Sequence, residues 1–361
     1  MLPLISGQDL SGFENLTGVK KANNIRKKVC DNKKVQLQIP AYTGMRRFAN
    51  KFQNGYLEAT SCGEEFCKFE FNNNFMNGTC RLFGTQESLR KSHIYPAFVI
   101  DYFKKTGSKF LRRPKEPNVR LQDGLKIYLL SDKAEQRFST SEKWFSEKIF
   151  IPYLEQNARA FNYDENLFYF CISFLWRILV LNLDFTPESK GKWFSSKLLE
   201  VENEWRDFLA NYKFPQNFNN IQLLFTDRVK NCSADAKGFD YYTSRALDGT
   251  IITNEKESYL AIYAKLLRFI FWIVIKTDMP YSNKDLLINP LKGELKIPQR
   301  IEDDYFGGFL INRANEFEKL QKPSENQQQK ILQELLKNPE EFLNSDLGKS
   351  MYNDIFNLEK E

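Results

Sequence analysis

Apolar residues recur at helical spacing in four segments of the chain, and each segment predicts an amphipathic or buried helix. The four segments are 96–105, 165–183, 196–211 and 258–276. Ser139 and Glu142 have the spacing of a capping box and predict the start of a further helix. A helical tail is predicted at the end of the chain, with breaks at Pro323 and Pro339, because proline interrupts the hydrogen bonding of a helix.

Short apolar runs, some with alternation of apolar and polar residues, predict β-strands. These runs are 35–39, 67–71, 221–225, 249–253 and 291–298. The dipeptide Asp248-Gly249 is typical of a tight hairpin turn. Helices together with such strands indicate an α+β fold that is rich in helix.

The composition is that of a folded protein whose first third is basic. Of the 361 residues, 42% are hydrophobic and 15% are aromatic, which excludes a largely disordered chain. Residues 1–137 carry 24 Lys and Arg against 13 Asp and Glu, although the net charge of the whole chain is only +6. This asymmetry indicates an anionic partner or an acidic neighbouring subunit, or a solvated surface that is simply rich in lysine.

The two most apolar segments, 167–183 and 259–275, contain charged residues such as Arg177 near their centres. A central arginine is costly in hydrocarbon, so we expect buried segments and no membrane span. The first residues lack the basic and apolar regions of a secretory signal, and the six cysteines have no paired spacing. We therefore expect a cytoplasmic protein with reduced thiols.

Three short motifs carry the candidate chemistry: C-R-L-F-G at 80–84, S-H-I-Y-P at 92–96 and L-L-S-D-K-A-E-Q-R-F at 129–138. Their spacing resembles a zinc-structured HNH nuclease module. It resembles more specifically a bacterial family with the patterns C-x-L-C-G, S-H-I-I-P-K-F and L-L-C-x-x-C-E-x-x-F-S. The residues that match this family are Cys80, Leu82, Gly84, Ser92, His93, Ile94, Pro96, Phe98, Leu129, Leu130, Glu135, Phe138 and Ser139.

The resemblance implies a small ββα module of the treble-clef type, in which a histidine deprotonates water for attack on a phosphodiester held by Mg or Mn. It also implies a setting in phage defence or in mobile elements. Three of the four zinc-ligand positions have changed, to Phe83, Ser131 and Ala134, and neither Phe nor Ala can bind zinc. We therefore expect a degenerate module without metal or other cofactor.

A rebuilt zinc site is the alternative, with ligands Cys62, Cys67, Cys80 and His93. His93 itself has two interpretations. It is the general base of an active nuclease, or it is a structural residue that orders the turn before Pro96. An active site needs a second residue beside the histidine, and the candidates are Asn118, Asp123 and Asp132.

A basic segment of seventeen residues offers a nucleic-acid-binding site, with Phe110 available to stack on a base. Its candidate phosphate-binding residues are Lys104, Lys105, Lys109, Arg112, Arg113, Lys115 and Arg120. A solvated charged loop is the competing interpretation. The chain has no Walker A loop, no G-x-G-x-x-G and no G-x-S-x-G, which argues against the common nucleotide-binding and hydrolase classes.

We expect four regions along the chain. A basic, β-containing region covers 1–76, the degenerate HNH-like module covers 77–150, a helix-rich α+β domain covers 151–320 and a helical tail covers 321–361. The expected function is a nucleic-acid-associated or complex-forming component of a bacterial defence or mobile-element system, with DNA or RNA and a protein subunit as partners. The alternatives are an active HNH-type nuclease that uses His93, and a pure protein-interaction subunit.

Overall fold

The computed structural model describes residues 75–113, 116–185, 191–227, 238–278, 284–301, 304–320 and 322–356. Within these ranges the protein combines helices with antiparallel strands, which confirms the α+β class. The predicted strands at 35–39 and 67–71 lie outside the described residues, as do Cys62 and Cys67.

The eleven strands of the described ranges form four sheets. The strands are β1 (Phe75–Thr79), β2 (Gln86–His93), β3 (Leu111–Arg113), β4 (Glu116–Leu121), β5 (Lys126–Ser131), β6 (Ala160–Asp164), β7 (Gln222–Phe225), β8 (Leu247–Thr253), β9 (Leu260–Leu266), β10 (Phe269–Lys276) and β11 (Lys292–Lys296).

The helices of the described ranges lie between and after these strands. They are α1 (Ala97–Lys105), α2 (Asp132–Phe145), α3 (Ile151–Glu155), α4 (Glu165–Phe185), α5 (Ser195–Asn211), α6 (Phe239–Arg245), α7 (Asp304–Glu318), α8 (Glu325–Leu335), α9 (Pro339–Asn344) and α10 (Asp346–Phe356). A π-helical turn (Ser146–Phe150) joins α2 to α3, and a 3-10 turn (Lys284–Leu286) precedes β11.

The first sheet contains the three motifs and has the strand order β1-β2-β5. Strand β2 lies in the centre, so that Leu89 faces Met76 of β1 on one side and Ser131 of β5 on the other. Helix α1 follows β2 after Pro96, as the sequence predicted, and α2 follows β5 directly. The order β1-β2-α1 agrees with the ββα order that the resemblance implied, although the resemblance itself stays a prediction.

The second large sheet has the order β7-β10-β9-β8, and the long helix α4 packs against β8 and β9. The predicted helix at 258–276 is wrong, because this segment forms the hairpin β9–β10. Both faces of β9 are buried, so its sequence lacks the alternation that marks a half-exposed strand. The chain reverses at Leu267, which adopts a positive φ of 54° without a glycine to signal the turn.

Three further elements differ from the sequence predictions. Ser139 and Glu142 lie inside α2, which begins seven residues earlier at Asp132, so they do not start a helix. The basic segment after α1, for which a charged loop was one interpretation, forms the hairpin β3–β4. Asp248 and Gly249 lie within β8 and not in a turn. The predicted helices at 165–183 and 196–211, the strand at 221–225 and the breaks at Pro323 and Pro339 are confirmed.

One hydrophobic core includes residues from both the motif-bearing segment and the helices that follow it. Phe145 of α2 stacks on Phe170 of α4, with ring centroids 4.1 Å apart. The segment from α2 through the π-helical turn to α3 is continuous across residue 150. The predicted regions 77–150 and 151–320 therefore share a core.

A second apolar cluster covers the other face of the β7-β10-β9-β8 sheet. Trp272 of β10 packs against Phe306 of α7, with ring centroids 4.2 Å apart. Helix α4 is long and apolar enough to cross a membrane, but 89% of its most apolar window is buried inside the protein. That burial is typical of the core helix of a soluble protein, and no other helix of the described ranges passes the same test.

Candidate functional site

The turn between β1 and β2 brings the first motif into a compact loop. The backbone N–H of Cys80 donates to the carbonyl of Thr85 (2.8 Å), and the N–H of Gly84 donates to the carbonyl of Cys80 (2.7 Å). Gly84 has a φ of +71°, a conformation that costs a residue with a side chain about 1 kcal/mol or more. This explains why the motif needs a glycine at this position.

The first and third motifs contact each other in the fold. The backbone N–H of Ser131 donates to Cys80 Sγ (3.4 Å), and the N–H of Arg81 donates to the carbonyl of Leu129 (2.9 Å). Cys80, Ser131 and Ala134 are all buried, with at most 1% of their surface exposed. The packing of buried side chains and one weak hydrogen bond therefore hold the first motif against the third.

Phe83, at a position for which the resemblance implies a zinc ligand, lies beside two cations of α2. Lys133 Nζ is 5.2 Å from the centre of its ring and the Arg137 guanidinium carbon is 5.5 Å away. One thiol that accepts an N–H does not form a zinc ligand set. Within the described ranges no group of three or more His, Cys, Asp or Glu residues could hold a metal ion.

His93 is the last residue of β2, and its side chain points at a carboxylate. His93 Nε2 lies 3.0 Å from Asp123 Oδ1, and Lys126 Nζ lies 2.5 Å from the other oxygen of the same carboxylate. Burial raises the pKa of Asp123, but hydrogen bonds from Lys126, His93 and the N–H of Gly124 outweigh this effect and hold its pKa well below the usual range. The charged Asp123 therefore fixes the orientation of the imidazole.

Of the three proposed partners of His93, only Asp123 lies beside it. Asp132 forms an ion pair with Arg90 (2.7 Å). The side-chain oxygen of Asn118 accepts the backbone N–H of Ser324 (2.8 Å) and so ties β4 to the start of α8.

Arg177 of α4 holds the backbone of His93 from inside the protein. Its Nη1 donates to the His93 carbonyl (3.0 Å), and its Nε donates to the carbonyl of Ser173 (3.3 Å). Its Nη2 lies 2.7 Å from Glu142 Oε1, an ion pair whose angles are not those of a hydrogen bond. In the sequence, Arg177 served only as evidence that 167–183 does not cross a membrane. A single cation inside an apolar helix also indicates that the cation has a buried partner.

A second carboxylate of α2, Glu135, lies near the same arginine. Burial raises the pKa of Glu135, opposed by a hydrogen bond with Ser92 and by the charge of Arg177. Ser92 Oγ also accepts the N–H of Leu130 (3.2 Å), which links the second motif to the third. The His93 carbonyl and the Glu135 carboxyl group thus both interact with the buried guanidinium of Arg177, and Ser92 hydrogen-bonds Glu135.

The predicted nucleic-acid-binding residues separate into distinct environments. Arg112 was predicted as a phosphate contact, but only 1% of its surface is exposed. Its Nη1 donates to the Pro117 carbonyl (2.6 Å), and its Nη2 donates to Gln327 of α8 (3.4 Å). This prediction is wrong, because a buried guanidinium that is hydrogen-bonded inside the protein cannot contact a phosphate. Lys115 and the side chain of Arg113 lie outside the described residues.

Two of the other lysines are held by carboxylates. Lys104 lies 3.4 Å from Asp101, and Lys105 lies 3.0 Å from Glu155. Surface ion pairs of this kind are weak, at about 0–1 kcal/mol, so both lysines stay available to an anion.

Lys109 and Arg120 are exposed, and they form no ion pair within the described ranges. The Arg120 guanidinium carbon lies 4.9 Å from the centre of the Phe110 ring, in cation–π geometry. The end of α1 and the β3–β4 hairpin therefore present two free cations and an aromatic ring together.

Comparisons of this chain with family models, with curated proteins and with solved structures find no match. A carboxylate-oriented imidazole can accept a proton, and free cations beside an aromatic ring can bind a nucleic-acid backbone.

Proposed function

We propose that this protein is a cytoplasmic, nucleic-acid-associated component of a bacterial defence or mobile-element system, built on a zinc-less HNH-like scaffold. The scaffold part of the proposal is supported by the contact of Ser131 with Cys80, at positions where an HNH module carries zinc ligands. The defence or mobile-element setting rests on the resemblance alone. Expression in a bacterial host followed by phage challenge tests that setting, and unchanged plaque counts across several phages would remove it.

The observation that carries the nucleic-acid part is the stack of Arg120 on Phe110, with exposed Lys109 nearby in the chain. Lys and Arg side chains that are free of carboxylate partners gain most from a phosphate, because binding releases condensed counterions. An aromatic ring whose position is fixed by a neighbouring cation can stack on a nucleic-acid base. An acidic partner subunit would form ion pairs with the same cations, but it would not need the aromatic ring.

The test is the affinity of the full chain for labelled DNA and RNA, measured by fluorescence anisotropy over a series of salt concentrations. We expect binding that weakens as salt rises, and the charge reversal K109E/R120E should weaken it about tenfold or more while lowering the salt slope by about 1–2. The matched control K256E/K292E reverses two other exposed lysines and should keep most of the affinity. A wild-type chain that binds neither DNA nor RNA at low salt would overturn the proposal and favour the protein-interaction subunit.

A second candidate function, an active nuclease, is favoured by the 3.0 Å contact between His93 and Asp123. A carboxylate that orients an imidazole prepares it as a general base, and Mg or Mn would supply the Lewis acid that activates the phosphodiester. The test is cleavage of plasmid DNA and of RNA with Mg²⁺ or Mn²⁺, by the wild type and by His93→Ala. Cleavage that the variant abolishes would establish the nuclease, whereas absence of cleavage by a chain that binds nucleic acid supports the scaffold.

A further inference from the structure

Helix α5 ends on an exposed tyrosine in a conformation that tyrosine rarely adopts. Tyr212 has φ 60° and ψ 21°, the left-handed region in which glycine usually terminates a helix. For a residue with a side chain this conformation costs about 1 kcal/mol or more. Of the surface of Tyr212, 64% is exposed, so burial of its ring does not offset that cost.

Arg137 of α2 holds this tyrosine in place. Arg137 Nη1 donates to the carbonyls of Leu209 (3.0 Å) and Ala210 at the end of α5, where carbonyls lack helical partners. Its guanidinium carbon lies 4.9 Å from the centre of the Tyr212 ring and 5.5 Å from that of Phe83. The residue that replaced a zinc-ligand position and the exposed tyrosine thus contact one cation.

A second exposed ring lies two residues further along the chain. Phe214 is 38% exposed and stacks on buried Phe168, with centroids 5.5 Å apart and an interplanar angle of 24°. Phe208 meets Phe214 edge to face at 6.3 Å. Because Phe168 and Phe208 belong to the core, the exposed ring is held on a rigid support.

The charges around these rings are positive and only partly neutralised. Lys133 is exposed, and neither Lys133 nor Arg137 forms an ion pair within the part of the chain that the structure describes. Lys213 is the exception, since it lies 3.0 Å from Asp207. We name the set Phe83, Lys133, Arg137, Tyr212 and Phe214 the Tyr212 platform.

We propose that the Tyr212 platform binds single-stranded nucleic acid, with bases stacked on Tyr212 and Phe214 and with phosphates at Lys133 and Arg137. This inference rests on the proposed function and adds a second surface and a strand type to it. Inside a duplex the faces of the bases are covered by their neighbours, so an exposed aromatic ring can stack on unpaired bases but, in a duplex, only on the terminal pairs. Every base has such a face, so we expect little sequence preference.

The test uses the full chain, a labelled oligothymidine of about twelve nucleotides and a duplex of the same length. The variant Y212G/F214A removes both rings, and glycine at position 212 also relieves the left-handed strain, so we expect this variant to fold. We expect its affinity for the single strand to fall about 10- to 100-fold, as loss of base stacking predicts, with little change for the duplex. Tyr212→Trp, which keeps a ring, should bind as well as the wild type, and Tyr352→Ala is the matched exposed-tyrosine control.

The outcomes separate the two proposals. If the wild type binds no nucleic acid, both fail. If K109E/R120E weakens binding while Y212G/F214A binds the single strand like the wild type, the proposed function stands and the platform is wrong. If Y212G/F214A loses affinity for the single strand and for the duplex equally, the preference for single strands is wrong. If the platform is blocked by polyglutamate and by no nucleic acid, it binds an acidic protein segment instead.

Discussion

The backbone N–H of Ser131 points at the sulfur of Cys80, 3.4 Å away, inside the protein. Both residues stand at positions for which the resemblance to the HNH-like family implies zinc ligands. Cys80, Ser131 and Ala134 are all buried, so close packing and this hydrogen bond hold the β1–β2 turn against the junction of β5 and α2. We expect this packing to hold the two segments together without zinc, because the core of a larger domain supports them.

We predict that the purified chain contains no stoichiometric zinc, measured by elemental analysis beside native mass spectrometry. Cys80→Ala should leave the metal content unchanged and reduce the free energy of unfolding by about 1–2 kcal/mol, because a small buried group is lost. Cys171→Ala, which alters a cysteine that is equally buried in α4, is the control. Zinc that is present in Cys171→Ala and absent from Cys80→Ala would instead support the rebuilt site with Cys62, Cys67 and His93.

We predict that Arg177→Met is among the more destabilising single changes near the motifs. The substitution leaves Glu142 without its cation and the His93 carbonyl without a donor, and loss of one partner of a buried pair costs about 3–5 kcal/mol. Urea denaturation measures the effect. E142Q removes the charge that Arg177 neutralises. The double variant R177M/E142Q should therefore lose less free energy of unfolding than the sum of the losses in the two single variants. Strict additivity would show that the ion pair has no part in the effect.

We predict a specific dependence of stability on pH at the C-terminal helix. Asp354 of α10 accepts the backbone N–H groups of Asp240 and Tyr241, yet burial, helped by the charge of Asp240, raises its pKa to about 7. A raised folded pKa means that the unfolded chain ionises first, so the stability contribution is complete below the unfolded pKa of 3.8 and is lost as pH rises to about 7.

Asp354→Asn removes this titration and keeps an oxygen for one of the two N–H groups. The melting temperature of the variant relative to the wild type should therefore rise steadily from about pH 4 to about pH 7. A difference that stays constant across this range would show that the carboxyl group ionises normally in the folded protein.

We predict that Arg112 and Lys109 fulfil different roles despite their place in one basic segment. Arg112→Met should lower the free energy of unfolding by about 1–3 kcal/mol, because the Pro117 carbonyl loses its buried donor. Lys109→Glu should leave stability within about 0.5 kcal/mol and weaken nucleic-acid binding, since its side chain is exposed. Thermal denaturation together with anisotropy distinguishes them, and the opposite pattern would refute the placement of Arg112 in the interior.

We predict that Gly249→Ala destabilises the contact between β8 and α4. A Cβ at this position would lie 2.8 Å from Ile178 Cδ1, so the packed helix must shift at a cost of about 1–3 kcal/mol. Adding Ile178→Val, which removes that methyl group, should recover part of the loss. Gly307→Ala is the control, because its Cβ meets nothing within 4 Å in α7 and should be neutral or stabilising by up to about 1 kcal/mol.

Local patterns were sufficient for the elements whose signals lie close together in the chain. Pro96 marked the start of α1, and the one-sided or continuous apolar spacing of 165–183 and 196–211 marked α4 and α5. The hairpin at 258–276 was wrongly predicted as a helix, because a strand buried on both faces has the same apolar run as a buried helix.

By itself, the sequence determined the α+β class and the set of charged residues near the motifs. Only the tertiary structure decided which of these residues meet. In the fold, the partner of His93 is Asp123 and not Asp132, and Arg112 lies in the interior. Arg137 contacts both Phe83 and Tyr212, which are 129 positions apart in the chain. These contacts link residues far apart in sequence, and they depend on how helices and sheets pack around a common core, which local periodicity does not encode.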